Sequence, residues 1–146
     1  MPADSAVTEL SPLVWVSAFE TGESAIDDEH RALLVDINNL SELLTQEQGW
    51  SLIVEKSRKL RNSCFSHFND EERVLERAGY KRLKSHKTEH RRIRRQVGDI
   101  LSFIESVAVP SRAQTEAVLL LRSILVNHFF RFDIGYKTHL LRLGGQ

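Results

Sequence analysis

Three features of the sequence predict an all-α fold, an antiparallel four-helix bundle in up-down-up-down order behind an N-terminal arm. Apolar residues recur every three or four positions in four long stretches, glycine or proline punctuates the gaps between them, and no run of β-branched residues alternates with polar ones. Helices of about 20 to 28 residues joined by short loops favour antiparallel neighbours around a shared core.

The stretch to about residue 23 holds Pro2 and Pro12, lacks helical periodicity, and carries Trp15 and Phe19, two large aromatics that need a surface to pack on. It is expected to lie on the domain as an arm over 1–23. Ser24 followed by Asp27 has the form of a capping box, and Ile26, His30, Leu33, Ile37, Leu40 and Leu44 then make a helical stripe, predicting a first helix from about 25 to 46. After Gly49 the stripe Ile53, Ser57, Leu60, Cys64, His67, Glu71 and Leu75 predicts a second helix from about 50 to 78, closed by Gly79. Leu83, His86, His90, Ile93, Val97, Ile100 and Ile104 predict a third, about 82 to 107, ending before Pro110. Ala113, Ala117, Leu120, Ile124, Leu125 and His128 predict a fourth, about 111 to 131. Gly135 and Gly144-Gly145 frame a tail, Tyr136 to Leu143, with room for one or two more helical turns. One domain over 1–146 results, with the bundle at about 24–131 and the tail at 132–146.

A chain of 146 residues buries about 70 % of its unfolded surface and needs no covalent staple. Twenty basic and 20 acidic side chains cancel, which removes any general pull toward nucleic acid or an anionic membrane. Cys64 is the single cysteine, so no internal disulfide forms, and the start MPADSAVTEL lacks the basic residue and apolar run of a secretory signal; a cytoplasmic location is expected. The longest apolar run, Ala117 to Leu121, is far short of the roughly 20 residues that span a bilayer, so no membrane association is expected.

Polar residues interrupt every inner stripe near one level of the bundle: His30 in the first helix, His67 and Glu71 in the second, His86 and His90 in the third, His128 in the fourth. One histidine on an apolar face is ordinarily a hydrogen-bonded core residue. Five on four helices need a common partner, because burying several unpaired polar groups costs a few kcal/mol each, and a metal satisfies them all. His67 with Glu71 and His86 with His90 are i, i+4 pairs that stack on one helix face. His128 and Asp133 are five apart, about 140° out of line on a regular helix, so a bulge or helix end is predicted between them. Five imidazoles and two carboxylates are too many for one ion and suit two divalent first-row metals about 3.5 to 4 Å apart, bridged by both carboxylates. Ligand softness leaves zinc, cobalt and iron open; Cys64 reads as a small buried apolar residue.

Trp15, IDDEH at 26–30, HFNDE at 67–71, HKTEH at 86–90 and HFFRFD at 128–133 together resemble the signature of hemerythrins in their bacterial single-domain form, over about residues 13 to 140. The resemblance implies a non-haem pair of Fe ions (Fe2+/Fe3+) with a bridging oxo or hydroxo group. His86, His90 and His128 would hold one iron, His30 and His67 the other, and Glu71 and Asp133 would bridge them. It implies dioxygen as the ligand, bound reversibly at the iron with two histidines, for oxygen storage, delivery or sensing. Ile26, Leu34, Ile93, Leu125 and Phe129 are candidates for a dry pocket wall.

Other readings compete. The stretch Lys81 to Arg95 carries eight basic residues, but Lys84, Lys87, Arg91, Arg92 and Arg95 fall on the solvent side, without the aromatic interleaving that stacks bases; no nucleic acid is expected. His139 reads as a surface residue of the tail, and Trp15 and Phe19 as packing for the arm. The same seven ligands would also serve a di-iron oxidase, peroxidase or nitric oxide handling protein, with Tyr136 as a proton donor. A sensor role, or delivery of oxygen to a recipient, would require a separate protein.

Overall fold

The computed structural model describes residues 11–45, 50–106, 112–129 and 134–144. Four long helices, α1 (Ser24–Thr45), α2 (Trp50–Arg77), α3 (Leu83–Ser106) and α4 (Arg112–His128), are preceded by a 3-10 turn at Ser17–Phe19 and followed by another at Ile134–Tyr136 and a short helix α5 (Lys137–Gly144). α1 packs on α2, α2 on α3 and α3 on α4, and α4 closes the ring against α1, which sets α1 and α3 at opposite corners. This is the expected all-α bundle, with helix ends shifted by at most three residues. No helix of the described residues is long and apolar enough to cross a membrane.

The first three stripes point inward as the sequence predicts. Leu33, Ile37, Leu40, Ile53, Leu60, Cys64, Phe68, Ile93, Val97 and Ile104 are buried in one continuous core, and each large aliphatic there contributes about 1.5–3 kcal/mol through area removed from water. The fourth stripe is a correction. Its buried residues are Gln114, Val118, Leu121, Leu125 and His128, whereas Ala113 is exposed and Leu120 is 52 % exposed. The run Ala117–Leu121 is apolar on every side of the helix, so periodicity there does not single out a face. A second core cluster, Ile26, Leu75, Tyr136 and Leu140, forms where the tail docks on α1 and α2.

Two glycines punctuate the chain. At the end of α2, Gly79 takes φ +66°, its N–H bonds Glu76 O at 3.1 Å, and Tyr80 N–H reaches back to Leu75 O at 3.0 Å, the paired bonds of a Schellman cap. Ahead of α1, Gly22 takes φ +96° beneath the Leu141 side chain of α5. The Ser24–Asp27 capping box takes another form here: Asp27 Oδ1 accepts from both the N–H and the hydroxyl of Thr21, each at 2.8 Å, so the carboxylate braces the turn before the helix.

The described part of the arm, residues 11–23, lies on the bundle as expected, and residues 1–10 lie outside the described residues. Leu13 N–H donates to Asn38 Oδ1 at 2.8 Å and Asn38 Nδ2 to Leu13 O at 2.9 Å, while Arg122 of α4 reaches Ser11 O. Trp15 and Phe19 meet edge to face at 5.7 Å, and the Arg31 guanidinium sits 4.5 Å above the Trp15 ring. His139 is not a free surface residue: its Nε2 donates to Ala78 O at 2.6 Å, tying α5 to the end of α2.

These positions separate two glycine effects. Gly79→Ala should cost about 1 kcal/mol, because alanine resists a left-handed backbone. At Gly98, inside α3, a Cβ would meet no atom within 4 Å, so Gly98→Ala should show the opposite sign and stabilise by about 0.5–1 kcal/mol. Urea or thermal unfolding of the two variants checks both signs.

Candidate metal centre

The i, i+4 spacings decide what meets at the middle of the bundle. α1 brings His30, α2 brings His67 and Glu71, α3 brings His86 and His90, and the last residue of α4 is His128; all six are buried to within 3 % of full burial. Regular α-helix ends at His128 and Phe129 is in a π turn; the rest of the step to Asp133, residues 130–133, lies outside the described residues.

Glu71 is the centre of the arrangement, and its two oxygens face different imidazoles. Oε1 lies 2.5 Å from His86 Nε2 and 3.1 Å from His90 Nε2. Oε2 lies 3.1 Å from His67 Nε2 and 3.4 Å from His30 Nε2, and it accepts a hydrogen bond from Tyr136 OH at 2.9 Å. Two overlapping ligand groups result, Glu71, His86, His90, His128 and His30, His67, Glu71, and among the described residues this carboxylate is what they share. Burial pushes the Glu71 carboxyl up, but the charge of His67 and hydrogen bonds from His30, His67 and His86 outweigh it and hold the group well below the usual carboxylate range.

The donor set fits cations. His30 Nε2 and His67 Nε2 are 2.9 Å apart, and His90 Nε2 and His128 Nε2 are 3.2 Å apart. Nitrogen lone pairs of neutral imidazoles cannot face each other at that range unless a proton or a cation lies between them. The outer nitrogens favour the cation. His90 Nδ1–H donates to Glu72 Oε2 at 3.0 Å, which leaves the Nε2 lone pair pointing inward, and His67 Nδ1 is 3.6 Å from Glu29 Oε2.

Sequence reasoning left these outer partners unassigned. Glu72 had a signal: the residue after Glu71 lies about 100° further round the helix, toward α3. Glu29 had none beyond sitting next to His30. Tyr136 was singled out only as a proton donor for an enzyme, whereas it hydrogen-bonds Glu71 directly. Of the candidate pocket residues, Leu34 and Phe129 line a small cavity beside His30, about 10 Å³ in volume, together with Trp15 and Phe19 of the arm. Ile26 instead packs with the tail, and Ile93 and Leu125 belong to the main core. Phe129 stands 4.8 Å from the His30 ring, and Phe68 stacks on His90 at 4.1 Å and 15°.

A buried two-site cluster of five imidazoles around a shared carboxylate, set inside four helices, defines a non-haem metalloprotein of the four-helix type. The comparisons agree on which one. The model of the hemerythrin HHE cation binding domain matches residues 21–138. A myohemerythrin of Theromyzon tessulatum is 30 % identical over 88 % of this chain and 94 % of its own length. A bacteriohemerythrin of Pseudomonas aeruginosa is 30 % identical over 87 % of this chain and 80 % of its own. A crystal structure of wild-type hemerythrin superposes with a TM-score of 0.76 at 25 % identity, covering 89 % of this chain and 98 % of that one. The chain belongs to the hemerythrin family, and is accordingly a non-haem di-iron protein that binds dioxygen.

If Glu72 orients His90, Glu72→Ala should weaken metal affinity about 10–100-fold in a chelator competition. Glu76→Ala, which removes an exposed acid one turn further on, should leave it unchanged. Equal affinities for the two variants would remove Glu72 from the site.

Proposed function

We propose that this protein holds dioxygen reversibly, for storage, delivery or sensing, on two irons bound by His30, His67, Glu71, His86, His90, His128 and Asp133. His86, His90 and His128 take one iron, His30 and His67 the other, and Glu71 with Asp133 bridges them. The observation that carries this division is the split of Glu71, with Oε1 toward His86 and His90 and Oε2 toward His30 and His67. For Asp133 the support is its place in the HFFRFD motif, with regular α-helix ending at His128.

Two ferrous ions, when bound, supply the electrons that reversible uptake of dioxygen draws on. The chain's own residues do the rest. His30 and His67 would give the second iron fewer protein ligands than the first, and His30 lies against the cavity formed by Trp15, Phe19, Leu34 and Phe129. Those four side chains are apolar or aromatic and would limit the access of water and protons to the His30 side of the site. Tyr136 holds the Glu71 oxygen on the His30 side through its 2.9 Å hydrogen bond and so keeps the bridge in orientation. Hemerythrin-type protein over the whole of 1–146 is the domain reading that goes with this, and the buried thiol of Cys64, which forms no disulfide, supports a reducing, cytoplasmic setting.

Anaerobically reduced, iron-loaded protein should develop a visible charge-transfer band in air, at two irons per chain, and lose it when oxygen is removed. A band that decays without release of dioxygen would replace the carrier by an oxidase. His86→Ala and Asp133→Ala should each lose much of the iron and unfold at lower temperature, since metal binding is coupled to folding; two irons retained in either would sink the ligand assignment. The site should also empty on acidification. Glu71 has a depressed pKa, so it stays anionic and its contribution persists until the pH falls far below the ordinary carboxylate range. Protons compete with iron for the imidazole nitrogens, so iron should be released progressively on acidification, and iron content that does not change with falling pH would contradict it.

A further inference from the structure

Formal neutrality conceals a separation of charge. α1 carries Asp27, Asp28, Glu29, Asp36 and Glu42 against Arg31 alone, while α3 carries Lys84, Lys87, Arg91, Arg92, Arg94 and Arg95 against Glu89, Asp99 and Glu105. These helices occupy opposite corners of the bundle, so the molecule has an acidic side and a basic side.

On the basic side, several of the neighbouring carboxylates are already engaged. Glu89 pairs with Arg92, Asp70 with Arg73, and Glu72 with His90 and Arg94. Lys84, Lys87, Arg91 and Arg95 recur at three- and four-residue steps along one outer face of α3, exposed except for the half-buried Lys87, and none forms an ion pair among the described residues. Beside this stripe, Arg94 is pinned by Asn69 Oδ1 at 2.8 Å and is 27 % exposed. Two short routes lead inward from it to the fully buried His90. One runs through Glu72, 3.4 Å from Arg94 Nη2 and 3.0 Å from His90 Nδ1; the other through Phe68, whose ring lies 5.4 Å from the Arg94 guanidinium and stacks on His90 at 4.1 Å.

We propose that this outer face of α3 docks an acidic one-electron carrier protein, which delivers electrons over Arg94 to His90 and so returns an oxidised site to the ferrous state. The inference rests on the di-iron reading above. An oxygen binder that starts from ferrous iron is inactive once its irons are ferric, so a reductant must serve it. Each encounter moves one electron from the reduced carrier to one ferric ion; two encounters restore the ferrous pair and release two oxidised carriers. Unpaired cations beside these routes to a ligand histidine steer an acidic donor to that spot and raise its rate of encounter about 10–10³-fold at low salt.

The test uses full-length protein and, as probe, a strongly acidic two-iron, two-sulfur ferredoxin. Binding is measured by calorimetry on the protein as isolated, with oxidised ferredoxin, and reduction of the air-oxidised di-iron form by stopped-flow with reduced ferredoxin. Lys84→Glu/Lys87→Glu/Arg95→Glu should lower both the affinity and the second-order rate at least tenfold at low ionic strength, with the difference closing at high salt. Lys87→Gln/Arg95→Gln, a milder change on the same face, should fall between. Iron content and the oxygen-dependent spectrum should match the parent in both. The proposal is overturned if the charge-reversed protein binds and is reduced like the parent, or if a basic cytochrome reduces the parent as fast as ferredoxin does. Tighter binding of duplex DNA or anionic vesicles than of ferredoxin, or a salt-sensitive self-association, abolished by the same substitutions, would also overturn it by assigning the face to another occupant. Failure of the parent to take up two irons would instead sink the di-iron reading and electron entry with it, an outcome told apart by metal analysis before any carrier is added.

Discussion

One buried carboxylate organises this protein. Glu71 is fully enclosed, and an isolated carboxylate in that position would cost several kcal/mol. Four imidazoles and the Tyr136 hydroxyl surround it, drawn from α1, α2, α3 and the tail, so compensating one charge fixes the approach of nearly every element. The residues that make the bundle unlike an ordinary hydrophobic core are those that set its register.

Around that centre, support comes in two forms that divide between the sides of the site. On the α3 side it is polar and aromatic, with Glu72 behind His90 and Phe68 flat against its ring. On the α1 side it is dry: Phe129 faces His30, and the arm brings Trp15 and Phe19 over the same space. The held side suits a closed coordination shell, and the dry side suits a small apolar ligand. The arm owes its place to backbone bonds with Asn38 and to Arg122, not to the aromatic contacts alone.

Most of the fold was legible because three helices have inner stripes that contrast with their outer faces, and because Gly79 marks a stop whose geometry demands glycine. α4 was harder: a helix apolar all round has no preferred face in the sequence, and its register is settled by His128 and by packing on α3. Among the site residues, those projecting at i, i+4 from one helix could be read directly. Glu29, Glu72 and Tyr136 act across helices, and which neighbour a side chain meets depends on rotation angles that spacing does not encode. The role of His139 escaped for a similar reason, since it bonds a carbonyl that α2 leaves open at its end.

The wide separation in sequence of the groups around Glu71 governs the order in which the molecule can assemble. α1 and α2 are joined locally and would pair early, yet they carry His30, His67 and Glu71 on their shared inner face. Paired alone, they would bury those groups without the side chains that satisfy them. Tyr136, 65 positions from Glu71, must dock before the charge is fully compensated, and His128 must come to rest against His90 across 38. The early hairpin is therefore penalised, native pairing becomes concerted, and folding is slower than a bundle of purely apolar helices would allow. Metal present during folding would lift that penalty, because His30, His67 and Glu71 already make one ligand group on the two paired helices.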